Sequence, residues 1–171
     1  MPGAKTFYGK YRGTVVENID PLKLGRIQVM VPDVSSAALS SWALPCVPLA
    51  GKQMGVYVVP QRGAGVWVEF EQGDPDYPIW TGCFWGTAAE VPSLAMAGNP
   101  ASPSLVLQSG GQHVIVVSDV AGPTGGITLK STTGASIVVN DTGIYISNGK
   151  GASIVLTGKT VSVNDGALTV T

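Results

Sequence analysis

Six pairs of aliphatic residues, each pair with one residue between its members, punctuate the C-terminal part of this 171-residue chain: Ile127 and Leu129, Ile137 and Val139, Ile144 and Ile146, Ile154 and Leu156, Val161 and Val163, Leu168 and Val170. A spacing of two places both members on one face of a β-strand. Between the pairs stand Asn140-Asp141-Thr142-Gly143, Asn148-Gly149 and Asn164-Asp165-Gly166. Their Asn and Gly residues take the left-handed backbone conformations that sharp turns need. The pattern also repeats: Gly134-Ala135-Ser136-Ile137-Val138-Val139 returns as Gly151-Ala152-Ser153-Ile154-Val155-Leu156, seventeen positions on, and Ile127, Ile144 and Val161 share that interval.

A single ribbon of such strands encloses nothing. Its apolar stripe is too thin for a core, and its edges are open templates for pairing. Three copies standing as the walls of a prism would turn all twelve side chains to a shared axis, where each is worth about 1.5–3 kcal/mol on full burial, offset in part by ordering entropy. A one-chain β-solenoid is the alternative, but it needs more rungs than this stretch supplies. The expectation is therefore an obligate homotrimer, with six rungs at ~4.8 Å giving a prism roughly 30 Å long, to which residues 105–119 can add.

Charged residues are 12% of the chain, about half the usual share, which again suggests that other chains cover part of its surface. Net charge is −1 with no cluster of Lys and Arg, against a phosphate-backbone binder. Cys46 and Cys83 form no Cys-x-x-Cys pair and read as small buried hydrophobes. No apolar run follows Met1-Pro2-Gly3-Ala4-Lys5, and no stretch approaches the ~20 apolar residues of a membrane span. A cytoplasmically made protein without a signal peptide is expected.

Three zones follow from composition. Residues 1–86 alternate strand-like runs with turn residues, the runs being 11–16, 26–31, 53–60, 65–70 and 78–84, with 18–25 as the turn of an early hairpin. Five short strands suit a small closed barrel. Residues 87–104 are rich in Ala, Pro, Ser and Gly and read as a linker. Residues 105–171 carry six charges: Asp119, Lys130, Asp141, Lys150, Lys159 and Asp165. The run Gly73-Asp74-Pro75-Asp76 lies between the last two strands of the first zone. Its carboxylates, with Glu69 and Glu71 nearby, could suggest acid–base or metal chemistry, but no histidine accompanies them. Turn formation, with Asp74 and Asp76 capping backbone N–H groups and Pro75 presetting the bend, is the better reading. The single histidine, His113, reads as a packed or capping residue rather than a ligand.

The stretch from Gly65 to Gly82, with Gly73, Asp74, Pro75, Asp76, Pro78 and Gly82 as its hairpin, closely resembles the hallmark of phage baseplate spike proteins and of VgrG-type spikes of type VI secretion. Asp20-Pro21-Leu22-Lys23-Leu24-Gly25-Arg26-Ile27 resembles that family's first hairpin, Trp42 with Pro45 and Pro48 its next segment, and Ser109-Gly110-Gly111-Gln112-His113 the turn opening its β-prism. The resemblance implies an all-β chain: an OB-fold-like five-stranded barrel, then a trimeric intertwined β-helix or β-prism. It implies a structural spike in a virion tail or injection particle, neither an enzyme nor a holder of a metal or other cofactor. Its partners would be two further copies, a baseplate hub or tube-end protein at the barrel, a PAAR-type tip protein seated on Leu168, Thr169, Val170 and Thr171, and, transiently, the target membrane. The linker leaves no room for the lysozyme insert that some relatives carry, and a lone histidine cannot form a His-x-His metal tip. An OB-fold nucleic-acid binder and a glycan-processing tail trimer are the other readings. The first lacks a basic groove, and the second lacks spaced acids.

Overall fold

Alternation of inward apolar and outward polar residues builds the first sheet. The computed structural model describes residues 5–36, 38–97 and 100–171, so Met1 to Ala4 and Ala37 of the expected barrel and Gly98-Asn99 of the expected linker lie outside the described residues. The chain forms two compact units, Met1–Ala88 and Ala89–Thr171.

The first unit contains β1 (Tyr11–Glu17), β2 (Gln28–Met30), β3 (Leu44–Pro45), β4 (Ala50–Gly51), β5 (Met54–Gly55), β6 (Gly65–Phe70) and β7 (Pro78–Phe84), with one helical turn at Pro32–Ser35. Five of these strands form a sheet in the order β2-β1-β6-β7-β3, antiparallel except for the parallel β7–β3 pair. Residues 39–46 close it into a barrel. Ile27 and Ala43 exchange backbone hydrogen bonds (3.2 and 2.8 Å), Ser40 N–H donates to Val29 O (3.0 Å), and Cys46 N–H donates to Trp80 O (2.9 Å). One segment thus satisfies the free edges of both β2 and β7, leaving an OB-like barrel without an open edge. Inside lie Val15, Ile27, Val29, Val31, Ala43, Val66, Val68, Phe70 and Trp80, all buried.

Two sequence expectations fail in this unit. The run 53–60 is not a barrel strand: Met54–Gly55 pairs only with Ala50–Gly51, and Val56, Tyr57 and Val58 are exposed. Its place in the barrel belongs to residues 39–45, which hold it with a few bonds and carry no β-branched run. Residues 56–60 are instead tethered at their end, where Asn18 Nδ2 donates to Pro60 O (3.0 Å). The cysteines are not buried either; Cys46 and Cys83 are both exposed.

The turn between β1 and β2 is organised by Asp20, whose side chain is 3% exposed. Its carboxylate accepts from the N–H groups of Leu22 (3.0 Å), Leu24 (2.8 Å) and Arg26 (3.3 Å) and from the Arg26 guanidinium, with Nη2 at 2.6 Å. Arg26 stacks over the Trp42 ring at 5.4 Å, and Trp80 Nε1 donates to Gly25 O (3.2 Å). This joins the turn to the closing segment and to β7. The Arg26 bond, helped by the three N–H groups and opposed by burial, holds the Asp20 carboxyl far below the usual carboxylate range. Nearby, Glu17 pairs with Arg62 and accepts from Ile19 and Asn18 N–H (both 2.8 Å), which lowers its pKa to about 2.

The second unit is a single antiparallel meander: β8 (Leu105–Gln108), β9 (Val114–Ser118), β10 (Gly126–Lys130), β11 (Ser136–Asn140), β12 (Gly143–Ser147), β13 (Ser153–Thr157), β14 (Thr160–Val163) and β15 (Leu168–Val170). It has eight rungs, two more than the six pairs suggested. Turns carry the expected chemistry. Asn140 Oδ1 accepts from Thr142 N–H (2.9 Å), Asn148 Oδ1 from Lys150 and Ala152 N–H (2.8 and 3.0 Å), and Asn164 Oδ1 from Ser153 N–H (3.0 Å). The seventeen-residue repeat also has a steric basis. Gly126 opens a strand at φ +83°, and a Cβ there would lie 2.0 Å from Val139 O; at the equivalent Gly143 it would lie 2.2 Å from Leu156 O.

Replacing Asp20 with Asn tests the turn. A folded-state pKa below the unfolded value of about 3.9 stabilises the fold above that pH, and the gain is lost as pH falls toward the folded value. All four tryptophans lie in residues 1–86, so their fluorescence in urea reads the barrel. The expected result is a lower midpoint for Asp20→Asn at pH 7 and a gap to the parent that narrows from about pH 4 downward. A gap independent of pH would mean that the charge contributes nothing.

Candidate functional site

The ribbon register gathers the aliphatic pairs into two columns on one face. Down one column run Leu105, Val117, Ile127, Val139, Ile144, Leu156, Val161 and Val170, each directly opposite the next. Down the other run Leu107, Ile115, Leu129, Ile137, Ile146, Ile154, Val163 and Leu168. All twelve residues singled out by spacing are there, brought together by pairing alone. Leu105, Leu107, Ile115 and Val117 are further members that the spacing argument left out. Their signal is masked because Val106, Val114 and Val116 make β8 and β9 apolar on both faces, so alternation does not show.

Among the described residues, nothing in the second unit covers these columns. Thirteen of the sixteen side chains are more than a third exposed, from 37% at Ile144 to 61% at Leu107, and Leu156, Val161 and Val163 are half-buried. The opposite face runs Val106, Val116, Thr128, Val138, Tyr145, Val155, Ser162 and Thr169 down its middle, flanked by Gln108, Lys130, Ser136, Ser147 and Ser153. It is the more polar of the two. A sheet with an aliphatic face must place it against another layer, and an exposed patch of this extent marks an interface.

The far end of the ribbon is β15. Leu168 and Val170 are 59% and 58% exposed, Thr169 and Thr171 are exposed too, and among the described residues no strand pairs with β15 on its outer side. At the other end, His113 is exposed rather than packed. Its backbone N–H donates to Ser109 Oγ (3.2 Å), so the residue is capped and is not itself a cap.

The Gly-Asp-Pro-Asp run is a tight β6–β7 connection. Gln72 (φ +53°) and Gly73 (φ +81°) reverse the chain, Glu71 N–H donates to Tyr77 O (3.0 Å), and Tyr77 N–H to Asp74 O (3.1 Å). Asp74 Oδ1 accepts from Asp76 N–H (3.0 Å), while the Asp76 backbone carbonyl receives Ser41 Oγ (2.6 Å). Phe7 N–H donates to Gly73 O (2.8 Å), and a Cβ on Gly73 would lie 3.0 Å from the Tyr8 ring. Pro78 is fully buried. Gly82 faces Trp67 beside a bulge that leaves Thr81 without a partner residue. Asp74 and Asp76 are exposed turn residues, and among the described residues no three His, Cys, Asp or Glu side chains converge as metal ligands would. An apolar cleft of about 450 Å³ lies between Leu24, Pro45, Met54, Tyr57, Val59 and Trp80. Its lining carries no acid, general base or thiol.

Ile146 and Ile154 face each other in the second column at 38% and 39% exposure. On a ribbon in water, Asp at both positions would cost little. On a face covered by other copies it places unpaired charges in an apolar layer. The expected outcome for the Ile146→Asp, Ile154→Asp double variant is loss of the trimer in native mass spectrometry. Retention of a stable trimer would show that the face is not covered.

Residues 11–85 match the family model described as the type VI secretion system/phage-baseplate injector OB domain, and residues 104–169 match the phage baseplate V C-terminal trimerisation domain. No curated protein matches the chain.

Proposed function

We propose, from the premise that the chain belongs to the spike family of phage baseplates and type VI secretion injectors, that it caps the end of the tail tube or hub and carries the point that meets the target envelope. Its coarser role follows from the two matched domains: a homotrimeric baseplate component of a virion tail or injection particle. The observation behind the finer role is the pair of eight-residue aliphatic columns, which three copies can close around one axis. Each copy would then give one wall of a three-sided prism, with the columns of all three packed together.

A prism of eight rungs at ~4.8 Å per strand is about 35–40 Å long. It is stiff along its axis because the interstrand hydrogen bonds lie along that axis and compression must shorten every ladder at once. The turn chemistry supports such a wall, with an Asn or Gly in or flanking every connection between its strands. The barrel would supply the attachment to the hub, with the Gly73–Gly82 hairpin braced by Phe7, Tyr8 and Ser41 as part of its rigid frame.

At the far end, three copies of Leu168, Thr169, Val170 and Thr171 would present a triangular apolar face with three unpaired strand edges. Such a surface fits a small conical tip protein of the PAAR type, one monomer on three chains. Deleting Leu168 to Thr171 should abolish co-purification of the PAAR-type protein made by the same particle while leaving the trimer intact. Unchanged co-purification would refute the seat, and particles that kill target cells normally without the chain would refute the piercing role.

A further inference from the structure

We infer that the ribbon's six charges form a ladder of ion pairs between neighbouring copies, which sets the direction and axial register of the trimer. In a meander, alternate turns fall on alternate sides. The β8–β9, β10–β11, β12–β13 and β14–β15 turns lie along one edge, and the β9–β10, β11–β12 and β13–β14 turns along the other. Lys130 ends β10, Lys150 lies between β12 and β13, and Asp165 between β14 and β15, so the first edge reads Lys, Lys, Asp from β8 toward β15. Asp119, Asp141 and Lys159 lie between β9 and β10, β11 and β12, and β13 and β14, so the second edge reads Asp, Asp, Lys. The two edges are complementary at every level.

Among the described residues, none of the six has an ion-pair partner. The salt bridges among the described residues, Lys10–Glu69, Arg26–Asp20 and Arg62–Glu17, all lie in the first unit. All six side chains are exposed, and Asp141 alone has a side-chain hydrogen bond, from Gly122 N–H (3.0 Å). Among the described residues, the other five charges, spaced along both edges of an otherwise neutral ribbon, make no side-chain bond within it.

A three-fold ring gives the charges partners. When three ribbons run in the same direction, the second edge of each wall meets the first edge of the next. Asp119 then faces Lys130, Asp141 faces Lys150, and Lys159 faces Asp165, each pair one turn apart along the axis. One turn is one strand spacing, ~4.8 Å, within reach of a lysine side chain. Sliding a neighbour by two rungs in the opposite sense pairs Asp141 with Lys130 but sets Lys159 against Lys150. An antiparallel neighbour opposes like edges, so Asp141 meets Asp141 while Asp119 meets Lys159, and one level of the three is repulsive where the parallel ring has none. The charges thus select against the wrong arrangements, which the aliphatic columns alone would accept, since Ile, Val and Leu repeat at every level.

The test is a charge-swap cycle on the full chain, using Asp119, which has no bond of its own. Asp119→Lys and Lys130→Asp should each lower the thermal dissociation midpoint of the trimer by about 2–5 °C at low salt. The double swap, Asp119→Lys with Lys130→Asp, should restore it. Asp119→Lys with Lys150→Asp has the same net charge but puts like charges together at two levels, so it should stay low. In ~1 M salt, where the screening length is about 3 Å, the four should converge. Additive effects in the swap, or equal rescue by Lys150→Asp, would overturn the ladder. The inference rests on the trimer: a parent chain that is monomeric would refute that reading itself, whereas a trimer with no coupling between 119 and 130 would refute only the ladder.

Discussion

A face made of two eight-residue aliphatic columns, with nothing among the described residues of its own unit to lie against it, is the constraint on which the second unit depends. Backbone pairing is already satisfied along the meander, so the missing layer is purely hydrophobic. The strands are too short and too few to curl over their own face, and among the described residues of the second unit no α-helix covers it. Copies of the same chain supply the layer in a trimerisation domain. In a closed three-fold ring such a contact is heterologous.

The first unit solves the opposite problem. Its core is complete within one chain, and its edges vanish because residues 39–46 bond to both β2 and β7. Asp20 does much of the local work. It is a nearly buried carboxylate with Arg26 and three N–H groups for partners, and Arg26 in turn rests on Trp42 in the closing segment. A turn with so many donors converging on one anion is rigid. The Gly-Asp-Pro-Asp hairpin follows the same logic, since Asp74 spends its oxygen on the Asp76 N–H.

Much of this was legible in the chain. The spacing of Ile144 and Ile146, or of Ile154 and Leu156, names the buried face without any coordinates, because successive side chains on a strand must alternate. Asn148-Gly149 and Asn164-Asp165-Gly166 name the turns for an equally local reason. Legibility ended where both faces were apolar, as at Val114-Ile115-Val116-Val117, and where a strand was held by position instead of propensity. Val56-Tyr57-Val58-Val59 has every residue preference of a strand and lies outside the barrel sheet. Ser40-Ser41-Trp42-Ala43-Leu44-Pro45 has few of them and closes it.

By itself, then, the sequence determined the strands of the ribbon, the face they share, its need for further copies and the family of the whole. Each of these is set by residues at separations of two or by short turn motifs, where side-chain geometry leaves one answer. Only the tertiary structure decided which segment completes the barrel, that Cys46 and Cys83 are exposed, that β8 and β9 extend the columns, and that the six charges divide into complementary edges. Those outcomes depend on which distant backbone groups meet and on the side to which each turn returns the chain. No local preference encodes that choice, because pairing energy belongs to the two strands together.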